Sequence, residues 1–263
     1  MAKTILSFRE QKERGEKISV LTAYDYPMAM LMDEVGVDGI LVGDSLGNAV
    51  MGMENTLGVT MEIMLHHLKM VRAAVKEALV IGDMPFLSYQ ISLEEAVRNA
   101  GRLVAEGGAH AVKLEGSARM FGNVIHGIIR AGIPVMGHIG LTPQSVLQMG
   151  GYKVQGRGEQ QARRLRNEAL ELQGAGCFAI VLECIPSELA TQISESLAIP
   201  TIGIGAGAGC DGQVLVSHDI LGWGKTRFAK TFADMRTVMR SAFASYIREV
   251  KEGSFPAEEH GYK

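Results

Sequence analysis

Residues 79–116 read LVIGDMPFLSYQISLEEAVRNAGRLVAEGGAHAVKLEG, two short apolar runs with a capped amphipathic stretch between them. Leu79–Gly82 and Ala111–Leu114 have the length and composition of buried strands. Between them, Ser92 with Glu95 is a helix start signature, and Leu93, Ala96, Val97, Ala100 and Leu103 recur on one helical face. Strand, crossover helix and strand make a parallel βαβ unit. Each strand of this unit runs into a carboxylate, Asp83 after the first and Glu115 after the second.

The same beat continues outward in both directions. Ser7 with Glu10 is expected to cap a short polar helix that ends near Gly15. Further strands are expected at Ser19–Tyr24, Gly39–Val42, Ile133–Gly137, Ala179–Leu182, Pro200–Ile204 and Gln213–Ser217. Helices fit Met28–Val35, Met61–Lys76, Met120–Arg130, Ala162–Gln173 and Ser187–Leu197, with a C-terminal helical region over Thr231–Val250. Thr142 followed by Pro143 resembles an N-cap and first helical residue, and Tyr152–Glu159 is a polar, glycine-interrupted insertion. Eight strands with mostly helical crossovers in 263 residues favour a single (β/α)8 TIM barrel. The expected organisation is one domain over residues 1–263, with an N-terminal helical extension and a C-terminal helix. A doubly wound sheet stays open, because propensity does not set strand order.

A formal charge of −3 gives no general attraction for nucleic acid or anionic lipid. No apolar run approaches the roughly 20 residues that cross a bilayer, and the mixed charges of Arg9, Glu10, Lys12, Glu13 and Arg14 do not make a signal peptide. Small-molecule chemistry, without nucleic acid or membrane, is the starting expectation. The three cysteines, Cys177, Cys184 and Cys210, lack CxxC spacing, which favours reduced thiols and a cytoplasmic location. Cys177 and Cys210 read as packing residues.

Asp44, Asp83 and Glu115 follow three consecutive expected strands, so adjacent barrel positions would gather their carboxylates at one end. Three close anions repel unless protons, cations or a metal compensate. All-oxygen donors suit Mg2+ better than zinc, with Mn2+ an alternative. Singly, each acid is better explained as a strand-end hydrogen-bond acceptor than as a ligand. Lys113 shares strand parity with Glu115 and suits either a substrate carboxylate or neutralisation of the cluster. His138 follows the next strand, where it would bind a carbonyl or carboxylate or serve structure alone. Glu183 follows the sixth and suits a general base or a buried ion pair. The glycine run Gly203–Gly209 only partly matches a dinucleotide fingerprint, and a tight turn fits it better. The 151–158 segment lacks the phosphate-loop pattern and fits an active-site-edge loop.

Taken in order, Thr22-Ala23-Tyr24-Asp25, Val42-Gly43-Asp44-Ser45-Leu46-Gly47, Gly82-Asp83-Met84-Pro85-Phe86 and Val112-Lys113-Leu114-Glu115-Gly116 resemble the blocks of the ketopantoate hydroxymethyltransferase family. So do Gly137-His138-Ile139-Gly140-Leu141-Thr142-Pro143-Gln144, the 150–157 block, Leu182-Glu183-Cys184-Ile185-Pro186 and the glycine run with its following Asp211-Gly212-Gln213. The resemblance spans essentially the whole chain. It implies a Mg2+ site at Asp44, Asp83 and Glu115, with oxoacid binding by Asp44, Ser45, Asp83 and Lys113. It also implies His138 in the polar substrate pocket and Glu183 as proton-transfer base. The implied reaction converts 3-methyl-2-oxobutanoate, 5,10-methylenetetrahydrofolate and water into 2-dehydropantoate and tetrahydrofolate. The implied assembly is a homodecamer of two pentameric rings. The block Leu221–Lys230 departs locally, in loop length and at Arg227.

Two other readings compete. A phosphoenolpyruvate-mutase- or isocitrate-lyase-like barrel also handles metal-bound oxoacids, but the chain lacks a Lys-Lys-Cys-Gly-His motif. A catalytically inactive sensor or structural barrel would have no reason to retain the acids, Lys113 and Glu183 together.

Overall fold

The computed structural model describes residues 2–224 and 226–262. Lys225 of the 221–230 block therefore lies outside the described residues. The chain divides into two compact units, Met1–Val216 and Ser217–Lys263.

The first unit holds the strands β1 (Ile18–Thr22), β2 (Gly39–Val42), β3 (Leu79–Asp83), β4 (Ala111–Lys113), β5 (Val135–Gly140), β6 (Ala179–Glu183), β7 (Thr201–Ile204) and β8 (Gly212–Leu215). They form a closed barrel in sequence order. Every pairing is parallel, and β1 closes on β8 with Ile18 opposite Gly212. Around it run α1 (Ile5–Glu13), α2 (Tyr26–Glu34), α3 (Leu46–Ala49), α4 (Met61–Ala74), α5 (Leu93–Ala105), α6 (Ala118–Arg130), α7 (Val146–Met149), α8 (Glu159–Gly174) and α9 (Ser187–Ser196). This is the expected (β/α)8 architecture, and the closed strand order excludes the doubly wound sheet. The second unit contains α10 (Ser217–Ile220) and α11 (Met235–Glu252). Asp234 caps α11 by accepting the Thr237 N–H, and Gly253 ends it in the left-handed region.

Alternation along the strands builds two apolar layers. Ile40, Val42, Val80, Val112, Leu114, Ile180 and Leu182 join the cluster that packs strands against helices. Val20, Leu41, Leu79, Ile81, Ala111, Met136, Ala179 and Val181 form a separate cluster inside the barrel. Phe8 of α1 belongs to that inner cluster and is fully buried. It closes the N-terminal end of the barrel, and Gly39 leaves room for its ring, since a Cβ there would lie 2.9 Å from Phe8 Cζ.

Two expected helix caps are built differently. The box that opens α1 is Thr4 with Ser7, not Ser7 with Glu10: Thr4 N–H donates to Ser7 Oγ at 2.9 Å and Ser7 N–H to Thr4 Oγ1 at 3.4 Å. The hydroxyl one turn earlier offers the same spacing. Thr142 makes no side-chain cap, and Pro143–Ser145 is a 3-10 turn ahead of α7. The Gln144 N–H that a cap would serve donates instead to the Glu115 carboxylate at 2.9 Å. His138 lies within β5 rather than after it, because the strand extends to Gly140.

Candidate active site

The inner-layer alternation explains where the polar residues converge. Leu79 and Ile81 point inward, and the next residue of that parity is Asp83. In the same way Ala111 leads to Lys113 and Glu115, Met136 to His138, and Val181 to Glu183. Each strand therefore continues its apolar lining with a functional group at the C-terminal end. Asp44 breaks the pattern: it follows β2, and its N–H reaches Asp83 Oδ2 at 3.4 Å.

Lys113 sits at the centre, its Nζ 2.9 Å from Asp83 Oδ1, 3.9 Å from Glu115 Oε1 and 3.3 Å from His138 Nδ1. His138 places Nδ1 3.5 Å from Glu115 Oε1 and Nε2 3.2 Å from Glu183 Oε2. The second contact is close but poorly aligned for a hydrogen bond. Asp44, Asp83, Lys113, Glu115 and His138 are all buried, while Glu183 is partly open. Ser45 has a different partner: its Oγ is 2.8 Å from the Tyr24 hydroxyl.

Burial, then repulsion from Asp83 and Glu115, pushes the Asp44 carboxyl well above its usual range. Burial raises Asp83 too, against the pull of Lys113. For Glu115, burial is outweighed by His138, Lys113 and the Gln144 N–H, and its pKa falls. Lys113 is raised because the three carboxylates overcome its burial. His138 is pushed up to about 9, since Glu115 and Glu183 outweigh burial and Lys113. The cluster thus has more acid than its cations neutralise, and a proton or a metal must make up the difference.

Comparison with known proteins decides whose chemistry this resembles. A family model described as ketopantoate hydroxymethyltransferase matches residues 2–258. The chain belongs to that family. A relative from Clostridium novyi (strain NT), named 3-methyl-2-oxobutanoate hydroxymethyltransferase, is 55% identical over 266 residues, covering 100% of this chain and 96% of the relative. One from Geobacter sulfurreducens with the same name is 57% identical over 264 residues, covering 99% and 98%. Among solved structures, a phosphoenolpyruvate phosphomutase from Streptomyces platensis subsp. rosaceus superposes with a TM-score of 0.66 at 15% identity, covering 99% of this chain and 92% of that one. A phosphonopyruvate hydrolase in complex with oxalate and Mg++ gives 0.64 at 13%, covering 98% and 93%. At such identities the likeness is one of fold alone. The mutase-like alternative thus shares the barrel of the ketopantoate hydroxymethyltransferase family but not its sequence.

Among the described residues of this ketopantoate hydroxymethyltransferase family member, no three His, Cys, Asp or Glu side chains form a preassembled metal sphere. Mg2+ does not need one, since it usually takes one or two carboxylates and completes its shell with water and substrate oxygens. The donors here are hard oxygens, and Asp83 Oδ1 is buried without an aligned hydrogen bond. The residues fit a hard divalent cation.

Gln144 and Tyr89 were not anticipated as site residues. Gln144 Nε2 donates to Asp44 Oδ2 and to the Met84 carbonyl, both at 2.9 Å. Tyr89 OH is 2.9 Å from Gln144 Oε1 and 3.0 Å from the Glu115 carbonyl, and accepts the Glu115 N–H at 3.2 Å. The sequence offered one signal, a glutamine just beyond a strand end in the barrel's functional face. Quoted only as the end of the 137–144 block, it carried no role of its own.

Proposed function

We propose that this cluster is the active site of a Mg2+-dependent hydroxymethyl transfer, with Asp44, Asp83 and Glu115 toward the metal and Glu183 as the base. The reaction moves a one-carbon unit from 5,10-methylenetetrahydrofolate to 3-methyl-2-oxobutanoate, forming 2-dehydropantoate and tetrahydrofolate in pantothenate biosynthesis. The observation that carries the role assignment is the polarity of the cluster. Buried carboxylates surround Lys113 on one side, and the partly open Glu183 stands on the other, 3.2 Å from His138.

Lys113 offers its ammonium to the oxoacid carboxylate, with Ser45, Asp44, Asp83 and His138 as the further oxoacid-binding groups. When bound, Mg2+ supplies a Lewis acid that polarises the ketone and offsets the charge that develops on its oxygen. Glu183 takes the C3 proton, and its partial exposure leaves room for the substrate carbon. His138 stands beside the Glu183 carboxylate, its Nε2 3.2 Å from Oε2 on the opposite ring nitrogen from the one facing Glu115. In the balance, C3 loses one proton and gains a CH2OH group whose carbon comes from the folate and whose oxygen comes from water. No redox cofactor is required.

No helix among the described residues is long and apolar enough to cross a membrane. A cytoplasmic location is proposed on that basis together with the unpaired cysteines, Cys177 and Cys210 being buried as packing residues. The single-domain organisation over 1–263 and the homodecamer of two pentamers are likewise proposals. The assembly is supported by α11, which leaves Val238, Phe243, Tyr246 and Ile247 exposed, and light scattering tests it. The reaction is tested by incubating the protein with the oxoacid, methylenetetrahydrofolate and Mg2+ and identifying the product by mass spectrometry. Formation of 2-dehydropantoate, abolished by a chelator, is expected. Its absence with fully folded protein would return the choice to the sensor reading.

A further inference from the structure

We infer that Gln144 is a positioning residue for the metal-directed carboxylates, and that Tyr89 acts through it by setting which way its side-chain amide faces. The inference rests on the metal assignment above and extends it to two residues outside the ligand set.

Gln144 is the one described residue that bonds to both Asp44 and Glu115 among the contacts of this cluster. Its Nε2 holds Asp44 Oδ2 and its backbone N–H holds Glu115 Oε2, each at 2.9 Å. One oxygen of each carboxylate is thereby fixed at Gln144. Glu115 Oε1 is left toward the centre, where Lys113 and His138 lie. Two carboxylates that repel each other are held in one geometry by a neutral group, which adds no charge to compete with a cation.

The amide direction is dictated by its neighbours. The Met84 carbonyl accepts only, as does Asp44 Oδ2 in the ionised carboxylate that faces a metal, so the NH2 must face them. On the other side Oε1 meets Tyr89 OH at 2.9 Å and Gln90 Nε2 at 3.2 Å, both able to donate. A flipped amide would set oxygen against carboxylate and NH2 against NH2. Packing alone does not prevent that turn, because Gln144 borders a cavity of about 360 Å3 that Phe86, Tyr89, Phe121 and Leu147 also line. Hydrogen bonds hold the amide, and Tyr89 makes the shorter of the two contacts to Oε1, its one hydroxyl hydrogen lying between Oε1 at 2.9 Å and the Glu115 carbonyl at 3.0 Å. Tyr89 is itself fixed, fully buried and edge-on to Phe121 with ring centroids 5.1 Å apart.

Partners of this kind behind metal ligands typically change metal affinity by about 10–100-fold when removed. The test is calorimetry of Mg2+ binding in the presence of 3-methyl-2-oxobutanoate for wild type, Tyr89→Phe, Gln144→Met and the double variant. All are measured well below the lowest melting midpoint, with circular dichroism confirming the fold. Tyr89→Phe keeps the ring contact, and Gln144→Met keeps the length and the backbone N–H. Each single change is expected to weaken Mg2+ binding by about tenfold or more. The double variant should lose clearly less than the product of the two, because Tyr89 acts through Gln144. Wild-type affinity in both single variants, or losses that multiply independently, would overturn the inference. Should Gln144→Met fail to fold, Gln90→Leu combined with Tyr89→Phe replaces it. That pair removes both donors to Oε1 and must weaken binding beyond Tyr89→Phe alone, and equality would overturn the inference too. If wild type itself binds no Mg2+ with the oxoacid, the metal assignment has failed rather than the role of Gln144.

Discussion

Asp44 shows at the scale of one residue how a site trades stability for chemistry. Its carboxylate is buried beside Asp83 and Glu115, and its pKa is raised well above the ordinary value of 3.8. A raised carboxyl contributes stability that is complete below the unfolded value and is lost as pH rises through the folded one. At neutral pH the cost of an Asp44 charge therefore weighs against the metal-free fold. Asp44→Asn keeps the shape and an acceptor for Gln144 while removing that charge. It is expected to raise the melting midpoint of the metal-free protein by about 2–4 °C, the shift that ~1 kcal/mol makes in a chain near this size. It should also abolish the further rise that Mg2+ with oxoacid gives wild type. Differential scanning calorimetry with and without Mg2+ checks both; a lowered midpoint in the metal-free variant would show that the charge is already compensated.

At the scale of elements, β5 and β6 place the base. Gly140 has a φ of 98°, and a Cβ there would collide with the Glu183 carbonyl oxygen, which accepts the Leu141 N–H at 2.9 Å. Gly140→Ala is expected to displace the end of β6 and lower kcat by about 10-fold or more, as small misplacements of a catalytic group do. Mg2+ affinity measured by calorimetry should change little, because Gly140 meets none of the metal-directed carboxylates. A loss confined to metal binding would contradict this division. The same strands show what was legible beforehand. Ile81 to Asp83, Ala111 to Lys113 and Glu115, and Val181 to Glu183 are steps of two, so an apolar strand with its terminal acid could be read from the chain. His138 was placed past its strand because Gly137 and Gly140 weaken the strand pattern. In the barrel those glycines permit close packing, Gly137 against Leu172 and Gly140 against Glu183. Tyr89 and Gln144 were not legible because their meaning lies in each other, 55 residues apart in sequence.

At the scale of the molecule, the barrel has a stabilising end and a reactive end. Phe8 plugs the N-terminal end among Ile18, Val20, Leu79 and Ala179, remote in register from the acids. Phe8→Ala should cost about 3–5 kcal/mol and lower the melting midpoint by roughly 6–20 °C. Oxoacid affinity measured well below that midpoint should be unchanged, and a large loss there would tie the two ends together. The alternation of strand and helix was readable from periodicity as far as β7, with the 203–209 glycine run turning directly into β8, whereas boundaries such as the Thr4 cap depended on which of two hydroxyls reached first.

Removal of a proton from carbon by Glu183 is the step on which the chemistry depends. The direct measurement is NMR of 3-methyl-2-oxobutanoate in deuterium oxide with protein and Mg2+ but no folate, following loss of the C3 proton signal. Wild type should exchange that proton only when Mg2+ is present. Glu183→Gln should leave the fold and Mg2+ affinity in place and reduce exchange by at least about 100-fold. Exchange at the wild-type rate in Glu183→Gln would contradict the account and send the search for the base to another group.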